Sequence, residues 1–258
     1  MSHRRDPLPT DVATLSTLPA EFDAVLDAGL QALRLTVDRP ERAALGDHVR
    51  LLLAWTEAIN LTSIRDAVEA AREHVLDSLT AVPLLRTHGA SAVLDLGSGG
   101  GFPGIPLAVV LPARRALLVD SVGKKARFLS TAVEALGLAP RVGVQAARAE
   151  QLAADRRHRE RWPAVVARAV TNLAELAEVG LPLVARGGLL VAWKRGSLDD
   201  ELAGASRAIE ILGGDTPRLQ PVAIDGLTDH VLVTIEKHRP APAGFPRDPA
   251  ARRNRPLG

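Results

Sequence analysis

Val93-Leu94-Asp95-Leu96-Gly97-Ser98-Gly99-Gly100-Gly101-Phe102-Pro103-Gly104 is the stretch around which the chain is organised. An apolar run ends at a carboxylate, passes into a glycine-dense loop and reaches a proline-marked helix start. Ala92 to Leu96 read as a buried parallel strand. Gly97, Gly99 and Gly101 allow a sharp turn and leave room for a ligand to approach backbone. Pro103 suits the first turn of a helix, where its missing N–H costs nothing. The free N–H groups and positive dipole end of that helix face the loop.

Two ligand classes use such a loop. Gly99 to Gly104 satisfy G-x-G-x-x-G, the dinucleotide fingerprint. Gly97 to Gly101 satisfy the looser G-x-G-x-G associated with S-adenosylmethionine. Asp95 favours the second, because a carboxylate beside a pyrophosphate repels it. S-adenosylmethionine carries no phosphate, and its ammonium and sulfonium are cationic. A surface turn without any ligand is the bland alternative.

The chain has 258 residues, 47% hydrophobic and 24% charged, the composition of an ordinary globular protein. With no Cys, it has no disulfide, thiolate zinc site or thiol nucleophile. The overall net charge is +2, but residues 1–90 carry 9 Lys/Arg against 13 Asp/Glu, so the remainder is clearly basic. A basic half built around the glycine loop fits a polyanionic partner. The N-terminus lacks an apolar signal core and no run approaches a membrane span, so a cytoplasmic protein with no membrane partner is expected.

Residues 1–20 are Pro- and Thr-rich and read as a disordered leader. Residues 21–90 read as helices over Glu21–Leu35, Glu41–Ile59 and Ala67–Leu79, with a short piece from Pro83. Their apolar stripes need a partner, so this region should pack on the domain C-terminal to it. From Ala92 strands and helices alternate. The expected strands are Ala92–Leu96, Ala116–Asp120, Val142–Ala146, Ala164–Ala169 and Gly188–Trp193. A closing pair, Arg218–Ala223 and His230–Glu236, has no helix between its members. This predicts an α/β, Rossmann-like sheet over residues 91–238, mostly parallel with an antiparallel final pair, and an N-terminal helical extension. Residues 239–258 form a Pro- and Arg-rich tail, either a solvated terminus or an arm for nucleic acid.

In such a sheet the ligand lies beyond the carboxyl ends of the strands. Asp120 ends the second strand and could accept bonds from ribose hydroxyls, or else cap the next helix. Ala149-Glu150 follow the third strand, where backbone and carboxylate could read an adenine edge; Glu150 could equally be a first-turn helix acid. Arg168 ends the fourth strand. Amino methyltransferases usually carry Asn or Asp with two prolines there, and this chain has Arg168-Ala169-Val170. Exocyclic-amine chemistry is therefore disfavoured. Guanine N7 remains open, since its lone pair attacks a sulfonium methyl without losing a proton and mainly needs alignment. No catalytic base stands out. The seven His show no metal spacing, so no metal is expected, and His74 reads as structural. Trp55, Trp162 and Trp193 read as packing residues. Arg156 to Arg161, with Arg114, Arg115, Lys124, Lys125 and Arg127, could form an RNA-facing surface.

Taken together these residues resemble one family, the small-subunit (16S) ribosomal RNA methyltransferase G, also called glucose-inhibited division protein B. The likeness runs from about Ala43 to Glu236. It is carried by Trp55 with Asn60 to Asp66, by His74-Val75-Leu76-Asp77-Ser78, and most specifically by Asp95 to Leu107. Asp120-Ser121 with Gly123-Lys124-Lys125, Arg127-Phe128-Leu129, Arg148-Ala149-Glu150 and Arg168-Ala169 complete it. The tail from Phe245-Pro246-Arg247 is similar to the basic end of some members. The resemblance implies methylation of N7 of one guanine in a 16S rRNA loop near the decoding site. It also implies S-adenosyl-L-methionine contacts at Gly97, Phe102, Ala149, Glu150 and Arg168. One departure is Glu73, where members usually carry Arg before the His. The expected cofactor-binding set is thus Gly97, Gly99, Gly101, Phe102, Asp120, Ala149, Glu150 and Arg168, with the small ribosomal subunit or its assembly intermediate as partner. The alternatives are an rRNA-binding assembly factor with a vestigial pocket, and a nicotinamide-dependent oxidoreductase, which Asp95 disfavours.

Overall fold

A computed structural model describes residues 8–111 and 115–257. Arg114 and the stretch Met1 to Pro7 lie outside the described residues. The strands are β1 (Ala92–Leu96), β2 (Arg115–Asp120), β3 (Val142–Ala146), β4 (Trp162–Arg168), β5 (Val184–Arg195), β6 (Arg218–Pro221) and β7 (His230–Glu236). They form one sheet in the order β3-β2-β1-β4-β5-β7-β6. The first five are parallel, and β7 runs antiparallel to both β5 and β6. β5 begins four residues before the expected Gly188, because Val184 already pairs with Trp162 across an irregularity in the ladder.

The α-helices are α1 (Ala20–Ala32), α2 (Arg39–Thr56), α3 (Ala67–Ala70), α4 (Asp77–Leu79), α5 (Val82–His88), α6 (Gly104–Val110), α7 (Gly123–Ala135), α8 (Ala149–Ala154), α9 (Leu173–Gly180), α10 (Asp199–Ile211) and α11 (Pro249–Asn254). One face of the sheet packs on α6, α7 and the N-terminal helices, the other on α8, α9 and α10. α2 starts with a reciprocal cap in which Asp38 accepts from the Glu41 N–H while Glu41 accepts from the Asp38 N–H. It turns Leu45, His48, Val49, Leu52 and Trp55 inward, so the amphipathic stripe read from the sequence is its buried face. The helix expected over Ala67–Leu79 is continuous, but Ala71–Leu76 is wound as a π-helix. Such insertions concentrate at functional sites.

Both chain ends differ from expectation. The leader is ordered from Leu8. Leu8, Val12, Leu15 and Leu18 pack against the core, and the Trp55 indole donates to the Pro9 carbonyl at 2.7 Å. Four apolar side chains at near-helical spacing give this segment enough surface to bury, despite its prolines. The tail is neither a solvated terminus nor a free arm. Arg247 donates through its backbone N–H and two guanidinium nitrogens to Glu178, a carboxylate 2% exposed. Arg159 donates to the carbonyls of Ala241, Pro242 and Phe245. The tail is fastened across α8 and α9, and the basic run Arg156–Arg161 loses one of its cations to that anchor.

Candidate active site

The glycine loop is sewn to the end of β2. The Gly97 and Ser98 N–H groups donate to the Val119 carbonyl at 2.8 and 2.9 Å. The Ser98 hydroxyl accepts from the Val119 N–H and donates to the Asp95 carbonyl. Gly97 has φ +77°, and a Cβ there would stand 2.8 Å from a Val170 methyl. The Val170 side chain therefore packs directly against Gly97, leaving no room for a side chain between them. Gly104 is required for a different reason: a Cβ would come within 2.5 Å of the Asp95 carboxylate and 2.3 Å of Leu118.

The Asp95 side chain turns away from the cleft, which corrects the expectation of a carboxylate facing the loop. Strand alternation sets its side chain on the face covered by α6, where it is 1% exposed. Its Oδ2 accepts the Gly104 N–H at 3.0 Å, while Oδ1 has no partner among the described residues. Burial pushes its carboxyl up to about 7, with the Gly104 N–H opposing. Asp95 thus pins the first turn of α6 to the sheet.

Asp120 accepts the Gly99 N–H at 2.9 Å on one oxygen and the Val122 N–H at 2.8 Å on the other. It ties the loop and begins the turn into α7, and is itself buried. Gly101 packs against His48 and Ile105, away from any cavity. Phe102 is buried in a stack, with ring centroids 4.3 Å from His48 and 4.8 Å from His74.

Two cavities open at the carboxyl ends of the strands. The first, about 240 Å³, runs from Leu96-Gly97 past Ala147 to Glu150 and is closed by Val170, Thr171 and Arg252. It brings Gly97, Ala149 and Glu150 together. The second, about 530 Å³, lies between β4–β5 and the π-helical stretch, with Glu73, His74, Asp77, Arg168, Lys194 and His230 in its walls. Val170 and Thr171 border both cavities. Arg168 therefore belongs to the second cavity, and Phe102 stands behind it with its ring 5.5 Å from the Arg168 guanidinium.

The buried ionisable groups of the second cavity are engaged with one another. Arg168 donates to the Glu73 carbonyl (2.7 Å), to Asp77 Oδ2 (3.1 Å) and to His74 Nδ1 (3.1 Å). Because arginine only donates, His74 accepts at Nδ1 and carries its proton on Nε2, 2.8 Å from the Thr62 hydroxyl. Burial, reinforced by the Arg168 charge, lowers His74 to about 4, so it is neutral at physiological pH. His230 Nδ1 lies 2.8 Å from Asp77 Oδ1, and Arg195 pairs with Glu73. Trp193 donates to the Asp77 carbonyl at 2.7 Å. Sequence reading missed this network and the His48–Phe102–His74 stack. His48 falls on the stripe of Leu45, Val49 and Leu52, which was the available signal. Burial drops it to about 3, and its Nε2–H reaches the Gly100 carbonyl at 2.8 Å. Among the described residues no His/Asp/Glu cluster could hold a metal, and no helix is long and apolar enough to cross a membrane.

An open sheet whose seventh strand is inserted antiparallel beside the fifth, with a glycine loop after β1, defines the methyltransferase form of the doubly wound fold rather than the dinucleotide form. Solved structures of that fold align over most of the chain. An O-methyltransferase from Bacillus cereus in complex with SAH superposes with TM-score 0.52 at 16% identity, covering 84% of this chain and 100% of that one. A putative O-methyltransferase from Klebsiella pneumoniae gives 0.53 at 16%, covering 84% and 97%. The family profile described as rRNA small subunit methyltransferase G (GidB) matches residues 41–223. The ribosomal RNA small subunit methyltransferase G of Roseiflexus castenholzii is 45% identical over 223 residues, 86% of this chain and 94% of that protein. That of Rubrobacter xylanophilus is 40% identical over 243 residues, 92% and 90%. The chain belongs to the ribosomal RNA small subunit methyltransferase G family, and its cofactor is S-adenosylmethionine. The residues lining the first cavity are compatible with that group: glycine backbone at Gly97, the start of α8 at Ala149 and the Glu150 carboxylate.

Proposed function

We propose that the protein methylates N7 of one guanine in a loop of 16S rRNA near the decoding site, on the small subunit or an assembly intermediate. The observation that carries this reading is the pair of cavities meeting at Val170-Thr171. The cofactor occupies the first, held by Gly97, Ala149 and Glu150, with Asp120 serving the ribose. It supplies an electrophilic methyl on a sulfonium. The target base enters the second, where Arg168, Lys194 and Arg195 provide cations beside a polyanionic substrate.

The engagement of His74, Asp77 and Glu73, and of His230 between Asp77 (2.8 Å) and Glu73 (3.8 Å), supports N7 over sites that must lose a proton. His74 is neutral, but its one free-lone-pair nitrogen already accepts from Arg168. Asp77 and Glu73 are held by cations. None of these is placed as a general base. Guanine N7 attacks through an existing lone pair, so the site needs to align the base, an effect that reaches about 7–11 kcal/mol. The N7 edge lies in the deep major groove of A-form RNA, so the target is unpaired or flipped out. The test is single-turnover transfer to 16S rRNA carrying 7-deazaguanine at the target. The substituted RNA should bind and accept no methyl, and the rate on natural RNA should be flat from neutral to mildly alkaline pH. Methylation of the deaza substrate at another atom would overturn the N7 assignment.

A further inference from the structure

The tail ends its path at the cofactor cavity. Once Arg247 is locked on Glu178, Asp248 caps the short helix α11 by accepting the Ala250 and Ala251 N–H groups, each at 2.9 Å. That turn aims Arg252 back at the sheet. Its Nη2 lies 2.5 Å from Glu150 Oε1 and its Nε 3.3 Å from Glu175 Oε1, and Nη1 donates to the Arg247 carbonyl at 2.7 Å. The Arg252 side chain is 10% exposed, and it lines the same cavity as Gly97 and Glu150. One guanidinium thus bridges the α8 wall and the α9 wall of the cleft.

We propose that the C-terminal strap is part of the cofactor site, and that Arg252 is a positioning residue that sets Glu150 to recognise the adenine amino group. This rests on Glu150 reading the adenine edge. Glu150 and Glu175 are like charges drawn to one cation, and without it they would repel each other across the cleft. Glu150 is also the second residue of a six-residue helix, and Arg252 is the cation that holds its Oε1. The planar fork of an arginine fixes the carboxylate plane while leaving Oε2 with its lone pairs for a donor. A 6-amino group supplies that donor. A 6-oxo group presents an acceptor and leaves the carboxylate unpaired.

The experiment compares binding of S-adenosylhomocysteine and S-inosylhomocysteine by calorimetry to the full-length protein. The wild type should prefer the adenosyl form by about tenfold or more, the worth of one hydrogen bond to a charged acceptor. Arg252→Ala should compress that preference to within about threefold, with Arg252→Gln as a second variant that keeps side-chain length should the alanine unfold the tail. Arg252→Lys should recover part of the preference, and Arg253→Ala, at an exposed neighbouring position, should leave it intact. A wild type that discriminates and an Arg252→Ala variant that discriminates equally would overturn the role of the strap while leaving Glu150 as the reader. A wild type without preference, matching Glu150→Ala, would overturn the Glu150 assignment and this inference with it.

Discussion

Replacing Asp77 by alanine removes the acceptor at the centre of the second cavity, and its cost can be worked from the contacts. Asp77 is 2% exposed and Arg168 15%, so the pair is buried. Breaking a buried pair by removing one partner costs about 3–5 kcal/mol, because the surviving charge is left without compensation. Arg168 would keep the Glu73 carbonyl and His74 Nδ1, which places its share at the lower end. His230 Nδ1 would lose its partner at the same time, a buried group whose orphaning costs about 1–3 kcal/mol. The total is about 4–6 kcal/mol, and for a chain of this size it lowers Tm by roughly 8–24 °C. Urea and thermal unfolding of Asp77→Ala, Arg168→Met and the double variant measure it. The double variant should lose less than the sum of the singles, with a coupling of about 0.5–3 kcal/mol. A single-variant loss below about 1 kcal/mol, as for an exposed ion pair, would refute the reasoning. So would additivity within about 0.5 kcal/mol.

Gly97→Ala should weaken S-adenosylmethionine binding by about tenfold or more and cost about 1–2 kcal/mol of stability, since φ is +77° and the new Cβ would press on Val170, 2.8 Å away in the cavity wall; calorimetry and thermal unfolding check both. Acid stability should follow the two buried imidazoles. His48 and His74 are lowered to about 3 and 4, so the unfolded chain binds protons from pH 6.5 downward before the native state does, and stability falls as pH falls through that window. Asp95 acts oppositely: raised to about 7, it binds its proton in the native state first, and its unfavourable contribution is relieved as pH falls from 7 toward 4. Asp95→Asn should therefore steepen the acid loss below pH 6.5 and leave stability at pH 8 no lower than wild type, as read by urea midpoints across pH. Lys124 and Arg127 are exposed on α7; if they meet phosphate, Lys124→Ala with Arg127→Ala should reduce the log–log salt slope of rRNA binding by about two units without changing cofactor affinity.

The sheet was legible because its information is local and periodic. β1, β3 and β7 have the bounds expected from apolar runs ended by turn residues, and the unlinked final pair announced the antiparallel edge. The glycine loop was equally legible as a tight turn between β1 and α6. What the loop's neighbours do was not, because a carboxylate at a strand end has no sequence mark for the face it takes. Asp95 was read beside the ligand and its side chain turns instead to α6, while Asp120, read as a ribose acceptor or a helix cap, also holds two backbone N–H groups. Arg168 and Phe102 were placed with the cofactor by the family resemblance. Long-range partners, Asp77 and His74, draw the arginine into the neighbouring cavity. The tail shows the same limit. Its arginines read as a solvated terminus or a nucleic-acid arm, and only the fold brings Glu178, Glu175 and Glu150 under Arg247 and Arg252.

The central claim is the identity of the methylated atom and its RNA. The measurement is mass-spectrometric mapping of modified nucleosides in 16S rRNA from a strain lacking the gene, with and without the wild-type protein restored. Restoration should add a single 7-methylguanosine, at one unpaired position near the decoding site, and the Gly97→Ala protein should add less of it. Methylation at any other atom, at a site outside small-subunit rRNA, or no change in methyl content would contradict the account.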